Sequence, residues 1–458
     1  MDEDDSSVKE KSETIPVYVE NNSEDSDSSE AAPEHEEQES VESEAPEVRR
    51  STRERRPPTW HSEYVTEINV AYCLLTEDGE PSTFHEALNS SDKEGIDFNE
   101  IFSPVVRLTT IRIVLAMCAT FDLHLEQLDV KTAFLHGELE EEIYMLQLEG
   151  FAETVKENLV CRLNKSLYGL KQASRCWYKR FDSFIMSLGY NRLSSDHCAY
   201  YKRFEDNDFI ILLLYVDDML VAGSNKDRVQ ELKAQLAREF EMKDLGPANK
   251  ILGMQIHRDR NNMKIWLSQK NYLKKILRRF NMQDCKSISI SFPVNFKLSS
   301  SMCPSNEAKM KEMSQVPYAS AVGSLMFAMI CTRPDIAQAV GETVVALSTT
   351  EAEYMAATQA YKEAIWIQML LEELRHKQEK NFVYCDSQSA LHIARNPAFH
   401  SRTKHIGVQY HFVREVVEDE SVDLQKIHTK ENLADDLTKP INANKFVWSR
   451  SSCGLAET

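Results

Sequence analysis

The chain has 458 residues and a formal net charge of −20, a length that fits two or three domains. Residues 1–48 carry 18 acidic side chains and 2 lysines, which leaves 55 acids and 51 bases in a nearly neutral remainder. That balance does not exclude a nucleic-acid partner, provided that basic residues cluster locally. No apolar run reaches the roughly 18 residues of a membrane span, and no Cys-x-x-Cys pair favours a zinc site. Because the acidic N-terminus also argues against a secretory signal, we expect a soluble intracellular protein of the cytoplasm or nucleus.

Residues 1–60 predict a disordered acidic tail that ends in a basic linker. The tail is rich in Ser, Glu and Asp and has few large apolar side chains, so it buries too little surface to fold. "RRSTRERRPPTW" (Arg49–Trp60) follows, with five arginines and two prolines. This composition is typical of an extended linker, and nucleic-acid binding or nuclear import is the alternative.

Ordered elements are predicted from Phe98 onward. The apolar segment Leu108–Leu123 predicts a buried helix with Thr109 or Thr110 as its N-cap, and the alternating segment Leu123–Val130 predicts a strand. Further predictions are a helix at Cys176–Tyr190, two strands around an Asp-Asn-Asp turn at 206–208, and a capped surface helix after Gly223.

A short helix at Asn271–Phe280 is predicted to have one apolar and one basic face. The basic face consists of Lys274, Lys275, Arg278 and Arg279. Four clustered cations would bind the phosphates of a nucleic acid. The alternative is an ordinary solvated helix face.

A second region follows a low-complexity linker near Ser287–Ser305. Its predicted elements are a helix at Glu351–Leu374, a strand at "NFVYCD", a helix from Ser387, a helix at Ile406–Val417 and a strand at "VDLQKIHT". Alternating helices and strands favour an α/β layer.

Two adjacent aspartates interrupt the most hydrophobic stretch, "FIILLLYVDDMLVAG" (Phe209–Gly223). If the strand that carries Asp129 joins the same sheet, Asp129 would lie beside Asp217 and Asp218. Three close carboxylates resist ionisation unless cations bind them, and two Mg²⁺ ions are the usual solution in phosphoryl transfer. The alternative for Asp217 and Asp218 is a plain hairpin turn, where Asp is common.

Several long strings resemble the reverse transcriptase of copia-type retrotransposon Pol polyproteins, in the plant Tnt-like branch. They are "IFSPVVRLTTIRIVLAMCA", "QLDVKTAFLHGELEEEIYM", "KSLYGLKQASRCWYKRF" and "YVDDMLVAG". The resemblance extends from about Arg49 to the C-terminus. It implies an α+β palm-type polymerase domain of right-hand architecture, with an antiparallel sheet and helices, followed by an α/β ribonuclease H-like domain. The implied partners are an RNA template, a DNA primer and deoxynucleoside triphosphates.

By this resemblance, Asp129, Asp217 and Asp218 are the metal triad of the palm, with two Mg²⁺ or Mn²⁺ ions as cofactor. Phe134 matches the aromatic gate that excludes a ribose 2′-hydroxyl, and a core phenylalanine is the alternative. The resemblance also assigns substrate-binding positions to Tyr168, Gly169, Lys171 and Tyr215. Tyr215 would pack near the primer end, and the alternative is an ordinary position in the strand core.

The C-terminal region resembles the ribonuclease H domain of the same family. Glu351, Asp386 and Asp435 match three of its four acidic metal ligands, and His405 matches a histidine near the product side. Each carboxylate has an alternative: Glu351 as part of a capping box with Ser348, Asp386 as an N-cap, and Asp435 as a surface residue.

Two family segments are missing from the chain. The fingers strands should follow Glu94, and about a hundred residues, including three ribonuclease H strands and the first catalytic aspartate, should follow Gly341. The implied domains are therefore a linker or fingers fragment at 61–97, the palm and thumb-like region at 98–286, a connection at 287–341 and a truncated ribonuclease H-like domain at 342–458. We expect impaired polymerisation and no ribonuclease H activity. The alternatives are a degenerate or repurposed copy that at most binds nucleic acid, and coding sequence lost from the gene model.

Overall fold

The computed structural model describes residues 102–147, 160–288, 290, 303–340, 348–378, 381–395 and 422–456. The predictions for the tail, the fragment at 61–97, most of the linker after 287 and the helix at Ile406–Val417 lie outside these residues, as does His405. Among the described residues, no helix is both long and apolar enough to cross a membrane.

The elements of the first region alternate between helices and short strands. They are α1 (Leu108–Thr120), β1 (His124–Val130), a 3-10 helix (Ala133–His136), β2 (Tyr144–Leu146), β3 (Val160–Arg162), α2 (Ala173–Ser187), β4 (Asn191–Arg192), β5 (Ala199–Arg203), β6 (Phe209–Tyr215), β7 (Asp218–Gly223) and α3 (Lys226–Glu239). They continue with β8 (Met242–Pro247), β9 (Lys250–Ile251), β10 (Met254–Asp259), β11 (Lys264–Ser268) and α4 (Lys270–Arg279). The fold is thus mixed α/β.

Six of these strands form one antiparallel sheet in the order β4-β5-β6-β7-β1-β8. Strand β1 precedes β7 by almost ninety residues, yet the two strands pair from His124 opposite Gly223 to Asp129 opposite Asp218. Strands β9, β10 and β11 form a second antiparallel sheet, and β2 pairs with β3.

Strands β6 and β7 are buried along almost their whole length. Successive strand residues point to opposite faces, so both faces of this hairpin are covered. The same core contains fully buried side chains from three helices, among them Ile111 of α1, Phe181 of α2 and Val229 of α3. The continuous apolar run in the sequence reflects this burial on two sides.

Most predicted elements are confirmed, with shifts at their ends. Helix α3 begins after Asn225, whose side-chain oxygen accepts a hydrogen bond from the Asp227 N–H at 2.9 Å, as the capping pattern predicts. Helix α2 begins and ends three residues earlier than the sequence indicates. It stops because Gly189 adopts a left-handed conformation, with φ of 81°.

The predicted cap of α1 is wrong. Neither Thr109 nor Thr110 is the N-cap, a position that Arg107 occupies without a side-chain cap bond. Asp196, which is buried and far along the chain, accepts hydrogen bonds from the Arg107 N–H at 3.0 Å and the Thr110 hydroxyl at 2.5 Å. Sequence patterns predict only caps from residues next to the helix, whereas Asp196 caps α1 from a distant segment.

The second region contains helices around a two-stranded sheet. Its elements are α5 (Glu307–Ser314), α6 (Tyr318–Cys331), a 3-10 helix (Pro334–Ile336), α7 (Ala337–Val340), α8 (Thr349–Glu373), β12 (Phe382–Cys385), α9 (Gln388–Arg395), β13 (Asp423–Lys426), a 3-10 helix (Thr429–Glu431), α10 (Asp435–Thr438) and α11 (Ala443–Ser452). Strands β12 and β13 are parallel, as an α/β layer predicts, and they share a small core with Tyr354 and Tyr361 of α8.

Helix α8 also contacts the first region directly. The Glu373 carboxylate at its C-terminal end accepts hydrogen bonds from the backbone N–H groups of Ser194 and Ser195, at 3.0 and 3.1 Å, and from both hydroxyls. Trp366 donates its indole N–H to the Ser195 carbonyl at 2.8 Å, and Arg107 lies over the Trp366 ring. These polar contacts fix the long helix against the edge of the six-stranded sheet.

Candidate active site

The hairpin of β6 and β7 ends in a two-residue turn. Tyr215 pairs with Asp218, so Val216 and Asp217 form the turn. Val216 has a φ of 54°, a left-handed conformation that is unfavourable for a β-branched residue and recurs at functional sites. The turn therefore presents Asp217 at its tip at a cost in backbone strain.

Hydrogen bonds from two other elements hold the turn. The Val130 N–H at the end of β1 donates to the Asp217 carbonyl at 2.9 Å. The Trp177 indole N–H from α2 donates to the Val216 carbonyl at 2.7 Å. Because Asp129 precedes Val130 and pairs with Asp218, the register of β1 brings all three aspartates to the same end of the sheet.

Burial and mutual repulsion shift the titration of the hairpin aspartates. Asp217 is exposed at the tip of the turn, and partial desolvation by the surrounding protein is the main cause that raises its pKa, to which the charge of Asp129 adds. Burial also raises the pKa of Asp218, to about 6, with further contributions from Asp217 and Asp129. Such elevated values are expected where carboxylates converge without a compensating cation.

The donor set fits a divalent ion, but its ligand geometry is not preformed. Carboxylate oxygens are the ligands that Mg²⁺ prefers, and each hairpin aspartate interacts electrostatically with Asp129. Over the residues that the structure describes, however, no group of three or more His, Cys, Asp and Glu side chains is arranged to hold a metal.

Two aromatic residues border the carboxylates. Phe134 lies in the 3-10 helix after β1 and is half-buried, and its ring centroid is 4.7 Å from that of Tyr168. Partial burial, followed by the charges of Asp217 and Asp129, raises the pKa of Tyr168. Tyr168 therefore faces the aspartates although it is 53% exposed. The structure thus places Phe134 against Tyr168, and Tyr168 near Asp217 and Asp129.

The other predicted substrate residues lie in different environments. Gly169 follows Tyr168 with a φ of 99°, a conformation that glycine adopts without strain, and Lys171 is exposed. Tyr215 is only 8% exposed at the end of β6, a position that agrees with the strand-core alternative.

The basic face of α4 belongs to a different part of the fold. Lys274, Lys275, Arg278 and Arg279 are all exposed. Their helix follows β11 of the second sheet, and its Tyr272 packs edge-on against Phe327 of α6, with ring centroids 4.9 Å apart. The cations are thus carried on an element separate from the six-stranded sheet.

The three predicted metal ligands of the second region lie in different surroundings. Asp435 is 3% exposed and pairs with Lys439 at 2.5 Å and with Lys445. The Glu351 N–H donates to the Ser348 hydroxyl at 3.1 Å, as the capping alternative predicts. Asp386 follows β12, and its backbone carbonyl accepts a hydrogen bond from Lys426.

Sequence reasoning missed two residues next to these sites. Burial, followed by the charges of Asp386 and, to a lesser degree, Asp435, raises the pKa of Glu353, so this residue of α8 lies near both predicted ligands. The second is Trp177, a buried residue of α2. Its contact with the turn joins segments 39 residues apart, and no local pattern signals it.

Comparison with known proteins gives the family. Residues 88–294 match the family model of the reverse transcriptase (RNA-dependent DNA polymerase). The chain is 47% identical to the retrovirus-related Pol polyprotein from transposon TNT 1-94 of Nicotiana tabacum, over 79% of this chain and 33% of that protein. It is 29% identical to the corresponding polyprotein from transposon RE1 of Arabidopsis thaliana, over 80% of this chain and 30% of that protein.

These matches cover only part of each polyprotein. The chain spans about a third of the length of the curated polyproteins that it matches. The tobacco match runs over 440 positions, but 79% of 458 residues is about 362, so roughly 80 positions have no counterpart here.

A shorter relative, the putative transposon Ty5-1 protein of Saccharomyces cerevisiae, is 30% identical over 58% of this chain and 84% of its own length. The chain therefore belongs to the reverse transcriptase family, as a retrovirus-related Pol sequence of the copia-type, Tnt-like retrotransposons.

Proposed function

We propose that the chain carries the nucleotidyl-transfer site of an RNA-directed DNA polymerase. The observation that carries this proposal is the register of β1 and β7, which aligns Asp129 with Asp218 and leaves Asp217 at the adjacent turn. In this reading the six-stranded sheet is the palm, and α4 belongs to a thumb-like region that completes the domain at 98–286. The substrates are an RNA template, a DNA primer and deoxynucleoside triphosphates.

Asp129, Asp217 and Asp218 would hold two Mg²⁺ or Mn²⁺ ions. When bound, such ions stabilise charge on the attacking and leaving oxygens of a phosphoryl transfer. The protein supplies the carboxylates, the partly buried surroundings and the hydrogen bonds that fix the turn. The raised pKa values of Asp217 and Asp218 support this role, because a nearby cation relieves the repulsion that raises them.

Phe134 and Tyr168 would flank the nucleotide. Tyr168 interacts electrostatically with Asp217 and Asp129, and Phe134 packs against Tyr168, which supports a place for both rings near the sugar of a bound nucleotide. Phe134 would exclude a ribose 2′-hydroxyl by its bulk, while Gly169 and Lys171 would position template and nucleotide on the same loop. Tyr215 would act mainly by packing below the turn.

We further propose that polymerisation is impaired and that ribonuclease H activity is lost. The roughly 80 positions of the tobacco match that lack a counterpart here support internal deletions, which we assign to the fingers strands and the first ribonuclease H strands. Two lysines neutralise Asp435, a residue that would otherwise share a metal with Asp386 and Glu351. His405 would complete that remnant on the product side, and 342–458 would be a truncated domain joined through 287–341.

Primer extension on an RNA template tests the polymerase proposal. With Mg²⁺ or Mn²⁺ present, we expect extension that is weak and that Asp217→Asn abolishes. Asp284→Asn, which changes an exposed carboxylate in the turn after α4, is the matched control and should leave extension unchanged. Extension that persists in Asp217→Asn would contradict the assignment of the triad.

Nucleic-acid binding without catalysis is the second candidate, and the exposed cations of α4 favour it. Filter binding of a primer–template duplex across a salt series measures this directly. We expect affinity to fall with salt, and neutralising Lys274 and Arg278 to reduce the slope of log K against log salt by about 2. Affinity near zero at every salt concentration would remove this candidate.

A further inference from the structure

The turn that carries Asp217 depends on a side chain outside the predicted site. Its Val216 is β-branched and has a φ of 54°, which such a residue adopts only when its surroundings impose it. The Val130 N–H of β1 donates a hydrogen bond to the carbonyl of Asp217, the second turn residue. The carbonyl of Val216, the first turn residue, accepts a hydrogen bond from the indole N–H of Trp177 at 2.7 Å.

Trp177 is held rigidly enough to impose this geometry. It is 1% exposed, and its ring lies 5.1 Å from that of Phe240 and 5.6 Å from that of Phe181. Gly137 permits the close approach of this part of α2, since a Cβ there would come within 2.7 Å of the Cys176 Cβ. An indole packed on all sides has one direction in which to donate, and that direction is the turn.

We propose that Trp177 is a positioning residue, which holds the strained Val216–Asp217 turn so that Asp217 stays at the same end of the sheet as Asp218 and Asp129. The inference rests on the proposed function for the role of these carboxylates, but the positioning itself is a property of the turn. Trp177 acts through the backbone of Val216 and does not touch substrate. Its effect is therefore on the arrangement of the metal ligands and on the order of the turn.

Trp177→Phe keeps an aromatic ring in the core and removes the donor. Trp366→Phe is the matched control, because Trp366 also donates its indole N–H to a backbone carbonyl at 2.8 Å, away from the aspartates. If Trp177→Phe does not fold, a benzothienyl analogue of tryptophan at position 177 keeps the shape of the indole and lacks its N–H.

The first measurement is Mn²⁺ binding to the full chain by electron paramagnetic resonance, with Asp217→Asn as the baseline. Outer-shell partners of metal ligands change metal affinity by about 10- to 100-fold, so we expect a loss of that size in Trp177→Phe and none in Trp366→Phe. Adding Val216→Gly to Trp177→Phe should restore much of the affinity, because glycine adopts a positive φ without strain.

The second measurement is amide hydrogen exchange in metal-free protein. Val130 donates to the Asp217 carbonyl, so its amide should exchange faster in Trp177→Phe and at the wild-type rate in Trp366→Phe. Unchanged exchange at Val130 would overturn the positioning role. A wild-type chain that binds Mn²⁺ no better than Asp217→Asn would instead overturn the proposed function of the carboxylates, together with the expected effect on the metal.

Discussion

Replacing Asp218 by asparagine should stabilise the metal-free protein at neutral pH. Burial and the neighbouring aspartates raise the pKa of this carboxyl from 3.8 to about 6. A folded-state pKa above the unfolded value means that ionisation disfavours the native state. The penalty is absent below the unfolded pKa, grows as pH rises, and is complete above about pH 6. At pH 7 the native protein therefore carries the whole of it.

The size of this penalty follows from the shift. About two pKa units correspond to about 3 kcal/mol at 1.36 kcal/mol per unit. Asp218 is only half-buried, so solvent screening reduces the figure, and we expect Asp218→Asn to raise the free energy of unfolding by about 1–2 kcal/mol at pH 7. The asparagine keeps an oxygen for the Gln127 side chain, which donates to Asp218 at 3.5 Å.

Urea denaturation in EDTA, repeated from pH 4 to pH 7, measures the effect. The difference between variant and wild type should vanish near pH 4 and reach its full size at pH 7. Adding Mn²⁺ should reverse its sign, because an ion that binds only the native wild type stabilises it. Asp284→Asn serves as the control for an exposed carboxylate. An Asp218→Asn protein that is no more stable than wild type at pH 7 in EDTA would refute the reasoning.

Three further outcomes follow from other contacts. Lys233 is buried and pairs with Glu126 at 3.0 Å and with Asp244 at 2.7 Å. We expect Lys233→Met to lower the free energy of unfolding, measured by urea denaturation, by about 3 kcal/mol. Adding Glu126→Gln should recover most of that loss, and additive effects in the double variant would contradict the pairing. Burial acts to raise the pKa of Glu373, but hydrogen bonds from two serines outweigh burial, and the net effect lowers this pKa. We therefore expect Glu373→Gln to reduce the free energy of unfolding by about 1–2 kcal/mol at pH 7 and the loss to fade as pH falls through the folded pKa. A loss that does not depend on pH would exclude a charge effect. Incubation of the full chain with an RNA–DNA hybrid and Mn²⁺ should give no specific RNA cleavage, and cleavage that Asp386→Asn removes would show an active site in the second region.

Local patterns predicted the elements well, because each depends on residues close in sequence. The stripe of α3 and its Asn225 cap, the alternation of β1 and the apolar run of the β6–β7 hairpin all follow from side-chain periodicity. The alignment of Asp129 with Asp218 was predicted only on the condition that their strands share a sheet, and that condition is fulfilled.

The parts that sequence reasoning missed depend on contacts between distant segments. Asp196 caps a helix that begins almost ninety residues earlier. Lys445, on α11, pairs with the buried carboxylate of Asp435 and turns a predicted metal ligand into half of an ion pair. Periodicity and motif spacing carry no information about such pairings, which appear only once the chain is folded.

The placement of β1 between β7 and β8 also bears on how such a chain tolerates change. The position of Asp129 is set by the pairing of β1 with β7 on one side and β8 on the other. A register slip of a single residue in β1 would turn its side chains to the opposite face of the sheet. We therefore expect an insertion or deletion of one residue within the seven residues of β1 to displace Asp129 from its position opposite Asp218.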